Sequence, residues 1–268
     1  MTSPAGSRLV PVRARSTLAL AAAFTVGLVA FGWPFLVDPG SALDTSHSGD
    51  APMVFVLLLP LLAAVVLAEL TAGGMDAKAV AMLGMLAAVG GALRALGPGT
   101  AGLEPSFAVI LLGGRVFGRG FGFVLGAVTL FTGALLTGGV GPWLPFQMMA
   151  AGWVGFFAGC LPPVRGRAEV AWLAGYALVC GFAYGLVMNL WFWPFASYGP
   201  EVSFVPGDPL AANVHRYLVF YVTTSLLWDL GRAVLSALLL AVAGPVLLRA
   251  LRRASRRAAF DVPVEFDR

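Results

Sequence analysis

The stretch "TGGVGPWLPFQ", Thr137 to Gln147, separates two long apolar runs. Three glycines, two prolines, a Trp and a Gln are packed into it. Gly138, Gly139 and Gly141 allow backbone angles closed to other residues. Pro142 and Pro145 remove donors and stiffen the chain. Irregular backbone near lipid is tolerated only where protein buries it or it lines a cavity. Trp143 and Phe146 offer flat apolar surface, and Gln147 offers two donors and an acceptor. Two readings stand at this point. One is a tight turn with an interfacial tryptophan; the other is part of a ligand site.

The composition around this turn excludes a soluble fold. The chain has 268 residues, 59% of them hydrophobic and 11% charged, against roughly 25% charged in soluble globular domains. An all-α integral membrane protein of the cell membrane, multi-pass, is expected. Cys160 and Cys180 lie in apolar runs and read as small hydrophobes, since no disulfide framework or zinc spacing is present. His47 and His215 fall in polar connections without clustered partners. No metal site and no cofactor is expected.

A spanning helix needs ~20 mostly apolar residues. Working outward from the turn, the expected spans are 119–138 and 143–161, then 105–117 and 169–194, then 77–97 and 216–250, and finally 17–37 and 52–72. The first run is too long in its apolar part for a signal peptide and reads as a retained helix. The run 105–117 is short, a tilted or protein-buried span. With eight spans and the N-terminus inside, 14 of the 17 basic residues fall on the inner side. The exceptions are Arg94, Arg216 and Arg232. This satisfies the positive-inside rule, whereas a re-entrant 105–117 would invert all that follows. The basic tail "LRRASRRAAF" anchors the last helix at an anionic leaflet, and no nucleic-acid module is present.

Few residues carry chemistry. The single lysine, Lys78, is followed by Ala79, so the chain has no P-loop. The third span places Ala77 and Ala81, and Gly84 and Ala88, four apart, a face that allows close helix approach. It reads as packing within the bundle or as a docking face for a partner. Ala19, Ala23 and Gly27 repeat the pattern in the first helix. Asp229 lies near the middle of the last span with Arg232 one turn on, in pairing distance. This is a structural pair or a functional site. Asn189 precedes "WFWPF", where Trp191 and Trp193 form an interfacial belt or a stacking wall. Neither dense intramembrane carboxylates nor a catalytic constellation is visible, so an enzyme is not expected.

The run from Phe107 to Pro162, "FAVILLGGRVFGRGFGFVLGAVTLFTGALLTGGVGPWLPFQMMAAGWVGFFAGCLP", resembles the substrate-binding S components of energy-coupling factor (ECF) transporters. The branch it looks most like is the cobalamin type. The likeness extends over about 77–253 and includes "TSLLWDLGRAV". It implies a six-helix core beginning at the third span. It implies an alanine-rich first helix docking onto a transmembrane T component, with Ala77, Ala81, Gly84 and Ala88 as the matching residues. Two ATP-binding subunits would power the import, in keeping with the missing P-loop. The resemblance also implies capture of a vitamin-like small molecule from outside, with release by toppling in the bilayer.

The expected organisation is therefore an extension over 1–76 with two spans, an S-component-like core over 77–253 and a cytoplasmic tail over 254–268. The expected substrate residues are Trp143, Phe146, Gln147, Asn189, Trp191, Trp193 and Asp229. A stand-alone secondary transporter is the alternative, and it would need no ATPase partner. A lipid-modifying membrane enzyme and a pure scaffold rank below it.

Overall fold

The computed structural model describes residues 14–35, 62, 66, 75, 77–97, 102–195 and 198–258. The expected span 52–72 lies outside these, apart from Leu62 and Val66, as do the 38–51 connection with His47 and the tail beyond 258. Among the described residues the fold is all-helical. The helices are α1 (Ala14–Gly32), α2 (Ala77–Ala95), α3 (Ser106–Phe117), α4 (Arg119–Thr137), α5 (Leu144–Cys160), α6 (Arg167–Phe192), α7 (Leu210–Thr224) and α8 (Leu226–Ala258). Short 3-10 turns, Trp33–Phe35 and Trp193–Phe195, follow α1 and α6. Among the described residues four helical runs are long and apolar enough to cross a membrane: Ala77–Ala95, Arg119–Thr137, Arg167–Phe195 and Leu226–Arg256. Thr17–Gly32, α3 and α5 are apolar but shorter.

The opening stretch is a complete helix-to-helix connection. Gly138 ends α4 in the left-handed region at φ 66°, and its N–H bonds to the Ala134 carbonyl. Gly139 donates to the same carbonyl at 2.9 Å. This is how glycine stops a helix without steric cost. Pro145 in the first turn of α5 loses nothing, because N–H groups there have no intrahelical acceptor.

The two helices that flank this turn approach backbone to backbone, and glycine makes it possible. A Cβ on Gly155 would sit 2.0 Å from the Gly122 carbonyl oxygen, and one on Gly126 would sit 2.1 Å from that of Ala151. Gly114 of α3 meets the Gly155 carbonyl at 2.1 Å in the same sense. Lipid tails give helices no hydrophobic drive to associate, so close backbone approach of this kind supplies the packing. The small-residue faces singled out in the sequence were on α1 and α2; glycines also bring the backbones of α3, α4 and α5 together.

α3 is short because it is interior. Phe107, Ile110 and Leu111 are fully buried, and its 12 residues rise only about 18 Å. On α2, Ala79, Leu83, Leu86, Ala87, Gly90 and Gly91 are buried, a helical stripe at three- and four-residue spacing. Gly90 and Gly91 of that stripe seat Thr129 and Thr132 of α4. Cys180 is buried as expected, but Cys160 at the end of α5 is exposed.

α1 joins this core. Its Phe24 lies among Phe123, Trp153, Phe156 and Phe157, and Phe31 contacts Phe146 and Trp153. Gly27 accommodates the Trp153 ring, which would be 2.5 Å from a Cβ there. The expected small face Ala19, Ala23 and Gly27 is thus a packing face, with Ala23 1% exposed.

The expected span 216–250 is two helices. α7 ends at Thr224, Ser225 leaves helical geometry, and α8 begins at Leu226. Thr223 and Thr224 fold their hydroxyls back onto the Val219 and Phe220 carbonyls, a competition with the backbone that weakens helices. α8 then runs for 33 residues, about 50 Å, longer than the ~30 Å hydrocarbon core. Its far end carries Arg249, Arg252, Arg253 and Arg256. There Glu169, 1% exposed, takes Arg115 Nε at 2.6 Å and also Arg252 Nη2. Arg115 adds bonds to the carbonyls of Leu161 and Val164 at 3.0 and 2.7 Å. One carboxylate therefore ties together the ends of α3, α6 and α8.

Candidate functional site

The opposite end of the bundle holds the polar and aromatic residues that the sequence singles out. Trp143 caps α5, with its indole N–H on the Gly139 carbonyl at 3.1 Å. That fold-back requires Gly141, since a Cβ there would lie 2.4 Å from the Trp143 ring. Trp191, at the end of α6, faces both Trp143 at 6.3 Å and Phe146 at 5.8 Å between ring centroids. Beside them Gln147 accepts a hydrogen bond from Arg94 Nη2 at 2.9 Å. Arg94 reaches Gln147 from the last turn of α2 by crossing Gly133, whose Cβ would stand 2.4 Å from Arg94 Cδ. Trp143, Phe146, Gln147 and Trp191 therefore form one group, with Arg94 added.

Three donors in this region are left over. Arg94 Nη1, Trp191 Nε1 and Asn189 Nδ2 are buried and have no hydrogen-bond partner among the described residues. Buried donors without acceptors are costly, and Arg94, half-buried, has only a neutral amide for Nη2.

Deeper between α3, α6 and α8 lies a charged triad. Arg232 bonds Glu104 Oε2 through Nε at 2.6 Å and Asp229 Oδ1 through Nη1. Its guanidinium also lies over the Tyr184 ring at 4.8 Å and the Phe107 ring at 5.5 Å, cation–π geometry in both cases. The anticipated Asp229–Arg232 pair is present, but it is two-thirds of the group. Asp229 is also placed differently from expectation. The break at Ser225 puts it in the first turn of α8, where the helix dipole favours a negative charge. Gly185 makes room for it: a Cβ there would lie 1.8 Å from Asp229 Oδ2.

Trp193 is not part of that group. It is fully buried in a separate cluster with Phe35, Phe204 and Tyr217. Its indole N–H donates to the Val202 carbonyl at 2.6 Å. Phe146, 1% exposed, is held between Trp191 and Phe31 of α1 and offers little free surface. On α2, Ala77, Ala81, Gly84 and Ala88 are exposed, and a Cβ on Gly84 would meet nothing within 4 Å.

Sequence reasoning did not bring Arg94 and Glu104 into these groups. A signal existed for the first, since Arg94 is one of three basic residues that the inside rule leaves unexplained. Glu104 sits in a Gly- and Pro-rich link with no helical register to project its side chain. That link is pinned by Gly102, at φ 77°, whose Cβ would lie 1.9 Å from the Trp228 carbonyl oxygen.

The family model of the ECF transporter substrate-specific component matches residues 78–244, more than half of the chain. The chain belongs to this family. No curated protein and no solved structure matches it. ECF S components are membrane-integral, substrate-binding subunits that work with a T component and ATPases, and they are not enzymes. In this S component the matched region opens at α2 and closes within α8, so it contains both the Gln147 group and the Glu104–Arg232–Asp229 triad. α1 lies outside the matched residues and packs on them.

Proposed function

We propose that this S component captures a vitamin or related micronutrient at the Gln147 end of the bundle and delivers it through a T component driven by two ATPases. Eight spans with both termini inside would put that end outside and the arginine-rich end of α8 inside. A cobalamin-type corrinoid is the first ligand to test. The observation that carries the reading is the set of unpartnered buried donors, Arg94 Nη1, Trp191 Nε1 and Asn189 Nδ2, beside the Trp143, Phe146 and Trp191 rings. A ligand rich in acceptors with a flat apolar part would complement both features. Asp229 is assigned a supporting role through Arg232, and Trp193 a role in holding the end of α6.

The deciding experiment is purification of the tagged protein from its own membranes with mass spectrometry of its companions. A transmembrane subunit with two ATPases and a bound small molecule is expected. A solitary protein under gentle detergent would favour the stand-alone secondary transporter. For the site, Gln147→Ala removes the amide that fixes Arg94 in place and whose own N–H groups can meet ligand acceptors. Affinity for the co-purified molecule is expected to fall about tenfold, the usual scale of one charge-assisted hydrogen bond, with expression unchanged. Unaltered affinity in a calorimetric titration would move the site elsewhere.

The docking face is assigned to Ala77, Ala81, Gly84 and Ala88. Gly84→Leu adds bulk at an exposed position with open space around it, so the melting temperature should hold. Co-purification of the T component should be lost. Retained assembly would remove this face from the docking surface.

A further inference from the structure

The Glu169 end carries a groove that substrate capture does not use. It lies between the start of α6 and the distal part of α8 and has a volume of about 440 Å³. Arg167, Arg249 and Arg252 stand on its lining, with Val170, Pro245 and Leu248 as apolar wall. Glu169 is the one acid on that lining, so three arginines against one glutamate leave a charge of +2. The Glu169 carboxylate is already engaged by Arg115 and Arg252. Neither Arg167 nor Arg249 has an ion-pair partner among the described residues. Arg249 is held along its helix by a bond from Nε to the Pro245 carbonyl at 3.0 Å.

The groove thus combines uncompensated cations with an apolar wall at one end of the membrane-spanning bundle. A small free anion would use the arginines alone. A phospholipid uses both, with its phosphate against the guanidinium groups and its glycerol and first acyl carbons along Val170 and Leu248. Basic pockets between helices at the membrane surface suit anionic lipid headgroups, and guanidinium matches phosphate geometry. We propose that this groove is a binding site for an anionic phospholipid of the phosphatidylglycerol class, which bridges α6 and α8. The proposal is independent of the substrate assignment.

The test is native mass spectrometry of the full-length protein in neutral detergent, incubated with phosphatidylglycerol or phosphatidylcholine at equal mole fraction. The wild type should retain phosphatidylglycerol preferentially. Arg167→Gln with Arg249→Gln should weaken retention about thirtyfold, at roughly fivefold per arginine near a lipid phosphate. Arg249→Gln alone should give about fivefold. Arg253→Gln with Arg256→Gln removes equal charge outside the groove and should change retention little. Arg115 and Arg252 are untouched in every variant, so the ties around Glu169 persist, and equal melting in phosphatidylcholine micelles verifies this. Equal retention of the two lipids would overturn the proposal. So would an equal loss in the Arg253/Arg256 variant, which would mean diffuse attraction. Displacement of phosphatidylglycerol by inorganic phosphate alone would also overturn it, making the groove a free-anion site.

Discussion

Arg232→Leu is expected to lower stability by about 3–5 kcal/mol, the scale for breaking a buried ion pair from one side. The side chains are 11% exposed at Arg232, 3% at Asp229 and 18% at Glu104, so water does little to screen them. Removing the guanidinium leaves two carboxylates facing each other with no cation between them. It also removes the stacking over Tyr184 and Phe107. Thermal unfolding in detergent checks the drop. Replacing the two acids as well, with Glu104→Gln and Asp229→Asn, should restore part of it, because the stranded charge is then gone. A loss below about 1 kcal/mol, the range of a solvent-exposed pair, would mean that water reaches the triad. In that case it would be free to serve as a direct ligand site.

Gly155→Val is expected to cost about 3 kcal/mol or more, at or above the upper end for overpacking. The obstacle is backbone rather than a side chain that can turn aside. The new Cβ would lie 2.0 Å from the Gly122 carbonyl oxygen and 2.6 Å from its carbon. α4 and α5 must therefore separate along their length, and α3 with them, because Gly114 packs on the Gly155 carbonyl. Separation would also disturb the 138–143 turn that joins α4 to α5 and positions Gln147. Melting temperature and ligand affinity should fall together. A variant that melts normally would show that the close approach of α4 and α5 is dispensable.

Much of this architecture was legible because lipid imposes simple rules. Long apolar runs gave α2, α4 and α6, and the glycine and proline density at 138–145 marked a sharp connection. The boundary of α8 was not legible. Residues 216–250 are mostly apolar, and hydropathy does not register two consecutive threonine hydroxyls that bond back onto their own helix. Missing that break displaced Asp229 from a helix start to a helix middle. The candidate site was legible in its aromatic part, since tryptophans near a helix end stand out. Its polar part depends on contacts across distant segments. Arg94 meets Gln147 across 53 positions and Arg232 meets Glu104 across 128, separations at which no periodicity operates. Trp193 shows the converse: its neighbours in sequence suggested a shared wall, and a 3-10 turn rotated it into a different cluster.

The packing of α1 separates kinship from mechanics. The family match begins at residue 78, but Phe24, Gly27 and Phe31 are interlocked with Trp153 and Phe146 of the matched region. A shortened chain beginning at α2 would strip the cover from the aromatic flank of α5 and expose Phe146, the ring on which Trp191 rests. Any tilting of the bundle in the bilayer would likewise have to carry α1 with it as a fixed passenger. The packed body is therefore broader than the family-matched residues 78–244 by at least the width of one helix.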